Sequence, residues 1–158
     1  MKNSLISIGI FLAIILSACT PDACKDVNCL NGGVCETGDC ICAIGFEGTN
    51  CQTEQRQAFV GNYSVDEACN LGDFSYEISI NADSEIATQI TLSNIADLGF
   101  ELTGSVDGVL LTIPEQTVNN YTTSGSGELE EGTLTLEYVL VTSQGQTLTC
   151  SLTCDLID

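Results

Sequence analysis

Thr147-Leu148-Thr149-Cys150-Ser151-Leu152-Thr153-Cys154-Asp155-Leu156 alternates polar and apolar side chains without a break. In an extended strand successive side chains point to opposite faces. The leucines and cysteines therefore line one face, and the hydroxyl groups and Asp155 line the other. The run just before it has the same period: Leu134, Leu136, Tyr138 and Leu140 alternate with Thr133, Thr135, Glu137 and Val139. Working toward the N-terminus, Val109, Leu111 and Ile113 share a face, as do Phe100, Leu102 and Val106. Ile86, Ile90 and Leu92 share one with Thr88, and Phe74, Tyr76, Ile78 and Ile80 form another set. Two further strands are expected at 59–67 and 118–127. Turn-forming clusters separate the runs: Asn81-Ala82-Asp83, Asp107-Gly108, Glu131-Gly132 and Ser143-Gln144-Gly145. No stretch carries a helical period. Residues 58–158 thus predict a mainly β domain, an antiparallel eight-stranded barrel or sandwich.

Upstream the texture changes. Six cysteines lie between residues 24 and 51, at Cys24, Cys29, Cys35, Cys40, Cys42 and Cys51. A segment this short holds no hydrophobic core and folds only if it is stapled. A zinc site is disfavoured, because the gaps lack Cys-x-x-Cys pairs and the chain has no histidine. The spacing, with Asn31-Gly32-Gly33 before the third cysteine and Gly45-Phe46-Glu47-Gly48 before the sixth, resembles an epidermal growth factor-like (EGF-like) module. The resemblance implies the pairs Cys24–Cys35, Cys29–Cys40 and Cys42–Cys51; the spacing alone leaves many pairings open. The polar stretch 52–57, Gln-Thr-Glu-Gln-Arg-Gln, reads as a short linker.

The first residues carry Lys2 and then an apolar run, Leu5 to Leu16, broken by Ser7 and Gly9. Such a run rises about 18 Å as a helix, too short for a hydrocarbon core of about 30 Å. It reads as a signal peptide over residues 1–18. The sequence Leu16-Ser17-Ala18-Cys19 is similar to the bacterial lipoprotein box. That resemblance implies cleavage before Cys19 and acylation of Cys19, with residues 19–23 as a tether and a lipid bilayer as partner. Thr20 after the lipidated cysteine implies a bacterial outer membrane, at its periplasmic face or the cell surface. An exported chain also accommodates ten cysteines, which a reducing cytosol would not keep bridged.

Charge narrows the partners. The mature chain keeps Lys25 and Arg56 against 22 acidic residues, a net charge of −20. Such a surface repels phosphate backbones and excludes nucleic-acid binding. The acids are scattered and keep the chain soluble and monomeric.

Cys69, Cys150 and Cys154 remain. Cys150 and Cys154 share one strand face, about 13 Å apart, too far for a bridge. If the last strand pairs antiparallel with the first, Cys69–Cys150 is favoured over Cys69–Cys154. The remaining Cys154 would be a buried, quiet thiol. Catalysis finds little support. Histidine is absent, the β domain beyond Arg56 has no cation, and a cysteine nucleophile lacks its base. The remaining acid–base candidates are the carboxylates Asp66-Glu67 and Glu128 to Glu131. The module's calcium signature is incomplete between Cys35 and Cys40; weak calcium binding is left to Glu128, Glu130 and Glu131. No cofactor is expected.

The opening Gly61-x-Tyr63 resembles the Gly-x-Trp start of calycins (lipocalin-like proteins), with tyrosine in the tryptophan's place. The order of lipobox, EGF-like module and small β domain, with Ile113-Pro114-Glu115-Gln116 and Gly125-Ser126-Gly127, resembles that of bacterial surface lipoproteins. The expectation is a non-catalytic envelope protein that binds a protein or glycan at its surface. The alternative is a carrier holding a small apolar ligand inside the barrel. Large inward residues such as Phe74, Tyr76, Phe100 and Tyr138 would fill a small barrel; an interior cavity above about 300 Å3 would favour the carrier.

Overall fold

The computed structural model describes residues 22–157; the leader and Cys19 lie outside the described residues. Four short strands come first: β1 Val34–Glu36, β2 Asp39–Ile41, β3 Phe46–Glu47 and β4 Thr53–Glu54. They form two small hairpins, β1–β2 and β3–β4. A 3-10 turn, Gln55–Phe59, follows. Then come eight longer strands: β5 Gly61–Cys69, β6 Gly72–Ala82, β7 Gln89–Ser93, β8 Glu101–Asp107, β9 Leu110–Val118, β10 Tyr121–Glu130, β11 Thr133–Thr142 and β12 Thr147–Ile157. Each pairs antiparallel with the next, and β12 returns to pair with β5, so the sheet closes into a barrel. Closure decides between barrel and sandwich, and it leaves no unpaired edge.

Alternation sets the inside. Val65 on β5, Ile78 and Ile80 on β6, Ile90 and Leu92 on β7, Leu102 and Val106 on β8, Leu111 and Ile113 on β9, and Leu134, Leu136 and Leu140 on β11 form one buried cluster. Phe59 is wholly buried against one end. Tyr63 donates its hydroxyl hydrogen to the Phe59 carbonyl at 2.9 Å. At the other end Ile95 and Phe100, from the β7–β8 connection, enter the same cluster, and Phe100 stacks on Tyr121 with ring centroids 5.9 Å apart.

Glycine and proline shape one side. A Cβ at Gly125 would sit 2.6 Å from the Glu137 carbonyl oxygen, so β10 approaches β11 more closely than any side chain permits. Opposite, the β9–β10 register shifts between Thr123 and Gly125. Pro114, which has no N–H to give a ladder, sits beside that bulge. The Gln116 carboxamide compensates. It accepts from the Thr103 N–H at 3.0 Å and donates to the Thr103 carbonyl at 2.8 Å, extending the β8–β9 pairing beyond Ser105.

Several residues depart from the alternation reading. Phe74 keeps the inward phase but lies near the start of β6 at the barrel rim, where it is 50% exposed. Ile86 and Thr88 precede β7 in a loop, because the Asp83 carboxylate turns the chain by accepting from the N–H groups of Glu85 and Ile86. Those bonds hold Asp83 below the usual carboxylate range. Val109 falls in the β8–β9 turn and is half-exposed. The strand expected at 118–127 is displaced, since Asn119 and Asn120 take left-handed backbone and make the turn before β10.

Within residues 52–57, read from sequence as a linker, Thr53–Glu54 form β4 and residues 55–57 open the 3-10 turn. Arg56 is buried there. Its guanidinium pairs with Glu54 at 2.8 Å and donates to the carbonyls of Asp83, Ile86 and Gln89. Gln55 accepts from the Gly108 N–H at 3.2 Å. The disulfide-rich segment is therefore seated on the end of the barrel that carries the β6–β7 and β8–β9 connections.

Arg56→Met keeps the stem and removes the donors, leaving three carbonyls without their shared partner. The expected cost is about 2–3 kcal/mol. Chemical denaturation would read it as a lower midpoint, with faster amide exchange across residues 83–89. An unchanged midpoint would contradict the role assigned to Arg56.

Candidate functional site

Four disulfides lie among the described residues. Cys24 is bonded to Cys35, Cys29 to Cys40, Cys42 to Cys51 and Cys69 to Cys150. The last joins the end of β5 to β12 at directly opposed positions, across a sequence separation of 81. Cys154 faces Val65 two pleat repeats further on and keeps a buried thiol. Burial above all, and then the Asp155 and Glu67 carboxylates, push that thiol up to about 12. It is a poor nucleophile at neutral pH.

The carboxylate pairs expected from sequence do not form a facing acid–base site. Asp66 and Glu67 are neighbours on β5 and point to opposite faces. Asp66 is outside, accepting from the Ser75 hydroxyl at 2.8 Å. Glu67 points inward, shares its face with Tyr63, Val65 and Cys69, and is only 4% exposed. Glu128, Glu130 and Glu131 border an open hollow of about 660 Å3 with Val109, Leu129, Thr133 and Thr135.

Glu67, read from sequence only as half of a carboxylate pair with Asp66, is the centre of a buried cluster. The Tyr138 hydroxyl donates to its carboxylate. The Tyr76 hydroxyl lies in the same cluster and accepts from the Ala96 N–H at 3.0 Å. Burial first, and then the negative Glu67, drive both phenols well above the ordinary tyrosine range. The Glu67 carboxylate also lies within 4.8 Å of the sulfurs of Cys69 and Cys150. Those sulfurs are bonded to each other, so no thiolate is available to a metal while the bridge stands. The cluster offers protonated phenols and one buried carboxylate, a polar knot that ties β5, β6 and β11 together. Its signal in the sequence was phase: Glu67 occupies an inward position two residues before Cys69.

The largest hollow near this region, about 630 Å3, follows the cross-strand row Ile113, Gly125, Tyr138, Cys150 and Cys69. Its remaining walls are outward-facing, including Ser126, Glu137, Thr149 and Ser151. A second hollow of about 530 Å3 shares Ser126, Glu137 and Ser151 with it and extends to Thr112 and Leu110. Together they form a continuous shallow groove rich in hydroxyl groups across β9 to β12. The inward side chains fill the barrel, and the groove lies on its wall.

Two outcomes follow from the sulfur chemistry. The double substitution Cys69→Ala with Cys150→Ala opens the long loop and is expected to cost about 4 kcal/mol, measured as a fall in the denaturation midpoint; a loss below about 1 kcal/mol would show that β12–β5 pairing does not need the bridge. The second concerns pH. The unfolded chain gives up the Cys154 proton near the ordinary thiol value of 9.0, and the folded chain holds it to about 12. The stability contributed is intact below the first value and is lost as pH rises toward the second. The raised tyrosines act in the same direction at the alkaline end. Cys154→Val should flatten the decline in unfolding free energy over that window, read by denaturation at stepped pH. An unaltered slope would contradict the assignment.

No family model and no curated protein matches the chain. Among solved structures, the chain is similar to a zebrafish ileal bile acid-binding protein complexed with cholic acid, at 16% identity and a TM-score of 0.37, covering 63% of this chain and 99% of that one. A likeness that distant bears on neither ligand nor activity.

Proposed function

We propose that this chain is a non-catalytic binding protein of a bacterial envelope, held to a membrane through acylated Cys19 and working by contact at its surface. The disulfide-stapled segment, an EGF-like module in this reading, is the spacer that carries the barrel. The observation that carries the proposal is the filled interior. Tyr63, Val65, Ile78, Leu92, Leu102, Leu136 and their neighbours are almost wholly withdrawn from solvent and packed as one core. The hollows described above are open, and most of their lining side chains face outward, with inward Ile113, Tyr138, Cys150 and Leu111 among the rest.

Chemistry supports the non-catalytic reading. The chain has no histidine, and its β domain has no cation after Arg56. Asp66 and Glu67 face apart. The Cys154 thiol stays protonated at neutral pH. The outer groove offers hydroxyl groups and Glu137, suited to hydrogen-bonded contact with a protein or a glycan.

Two measurements test this. In the bacterial host, the wild-type N-terminal peptide should carry acyl mass on Cys19, and Cys19→Ser should move the protein from the membrane to the aqueous fraction. An unmodified Cys19 defeats the anchor. Titration of the mature chain with cis-parinaric acid, a fluorescent fatty acid, should show no saturable binding. One-to-one binding would instead favour the carrier.

A further inference from the structure

We infer that the β1–β2 hairpin docks on a zwitterionic lipid surface through Val34 and Ile41, an inference that rests on the anchoring of Cys19 proposed above. Val34 and Ile41 are direct cross-strand partners, so their side chains stand together on one face. They are 67% and 57% exposed with the barrel in place. Cys35 and Cys40 point to the other face and are spent in disulfides. Ile44, three residues past Ile41, is 84% exposed and adds apolar surface to the same segment. Nothing in the folding of this segment requires aliphatic side chains in water at these positions.

The route of the chain says what covers them. Cys24 is bridged to Cys35, the residue next to Val34, with Cα atoms 5.8 Å apart. Cys24 lies five positions after Cys19, with four residues between them. Fully extended, that stretch spans at most about 18 Å. An acylated Cys19 therefore keeps Val34 within about 28 Å of the lipidated residue, and the second contact becomes effectively intramolecular. Side chains of this kind enter about 5–10 Å into the boundary between headgroups and acyl chains. The next pair on the same face is Glu36 and Asp39, both exposed at the hairpin tip. Two carboxylates keep that tip in water and oppose an anionic surface, which selects zwitterionic headgroups. The docked hairpin and the tether give two points of attachment, and the far end of the barrel is directed away from the membrane.

The chain has no tryptophan, so one introduced indole reports one position. The mature chain beginning at Cys19 is coupled through the Cys19 thiol to a maleimide phospholipid in phosphatidylcholine vesicles; Cys154 is buried and does not compete. Val34→Trp and Ile41→Trp should emit at shorter wavelength and lose emission on brominated phosphatidylcholine. Leu71→Trp, in the β5–β6 turn at the far end of the barrel, should do neither, and phosphatidylglycerol should weaken the effect. Emission from Val34→Trp and Ile41→Trp that matches Leu71→Trp, on vesicles that carry the protein down with them, overturns the inference. It leaves a protein partner as the cover for this face. Because coupling is chemical, that result is independent of native acylation, which the mass of the N-terminal peptide reports separately. Should an indole disturb the hairpin, paramagnetic lipid in nanodiscs reads the same contact from the methyl resonances of unsubstituted Val34 and Ile41.

Discussion

The pairing of β12 with β5 is the interaction on which the rest of the barrel depends. It brings together the last and first strands of the sheet, from Cys150 opposite Cys69 to Ile157 opposite Asn62. Without it, both strands would be open edges, exposing a row of unpaired amides and carbonyls. A slip of one residue would turn Cys150, Leu152 and Cys154 to solvent and Thr149, Ser151 and Thr153 into the core. The Cys69–Cys150 bridge fixes that register covalently. It also removes much of the conformational freedom that the intervening chain would gain on unfolding. Glu67 lies two residues from the bridge, and its bond from Tyr138 adds a polar tie between β5 and β11.

The second constraint is the seat of the small N-terminal segment. Too short to bury a core, it is held internally by three disulfides and externally by Arg56. A guanidinium presents several donors in a fixed plane, which suits a site where carbonyls from three residues of one loop converge. The cation thus orders the β6–β7 connection from outside the barrel, while Asp83 orders it from within. The up-and-down topology then puts the segment at one end of the barrel and the β5–β6, β7–β8, β9–β10 and β11–β12 connections at the other. A tether on the segment and a contact surface on the barrel wall or far end are physically compatible for that reason.

Much of the barrel was legible from period-two alternation. The strands around Leu134 to Leu140 and Leu148 to Leu156 read almost as they fold, because each buries one face and wets the other. The misreadings lie at strand ends. Ile86, Val109 and Phe74 are apolar and in phase, yet the first two sit in connections and the third at a rim. Alternation says which face a residue takes and is silent on where a strand stops. Glu67 was visible as an acid, but grouping it with Asp66 hid that adjacent strand residues face apart. Beyond its neighbour Glu54, the seat of Arg56 could not be read, since its other partners are carbonyls 27 to 33 residues further on, and carbonyls are the same in every residue.

By itself the sequence determined the β texture, the need for staples in its first part and the strongly acidic charge. These are properties of neighbouring residues and of composition, so no knowledge of distant contacts is required. The tertiary structure alone decided that the sheet closes, that Cys69 meets Cys150 and leaves Cys154 as a thiol, that Glu67 is buried under Tyr138, and that Arg56 joins the segment to the barrel. Each of these depends on register between strands far apart in the chain. Register is set jointly by turn lengths, the bulge beside Pro114, the close approach at Gly125 and the packing of a shared interior.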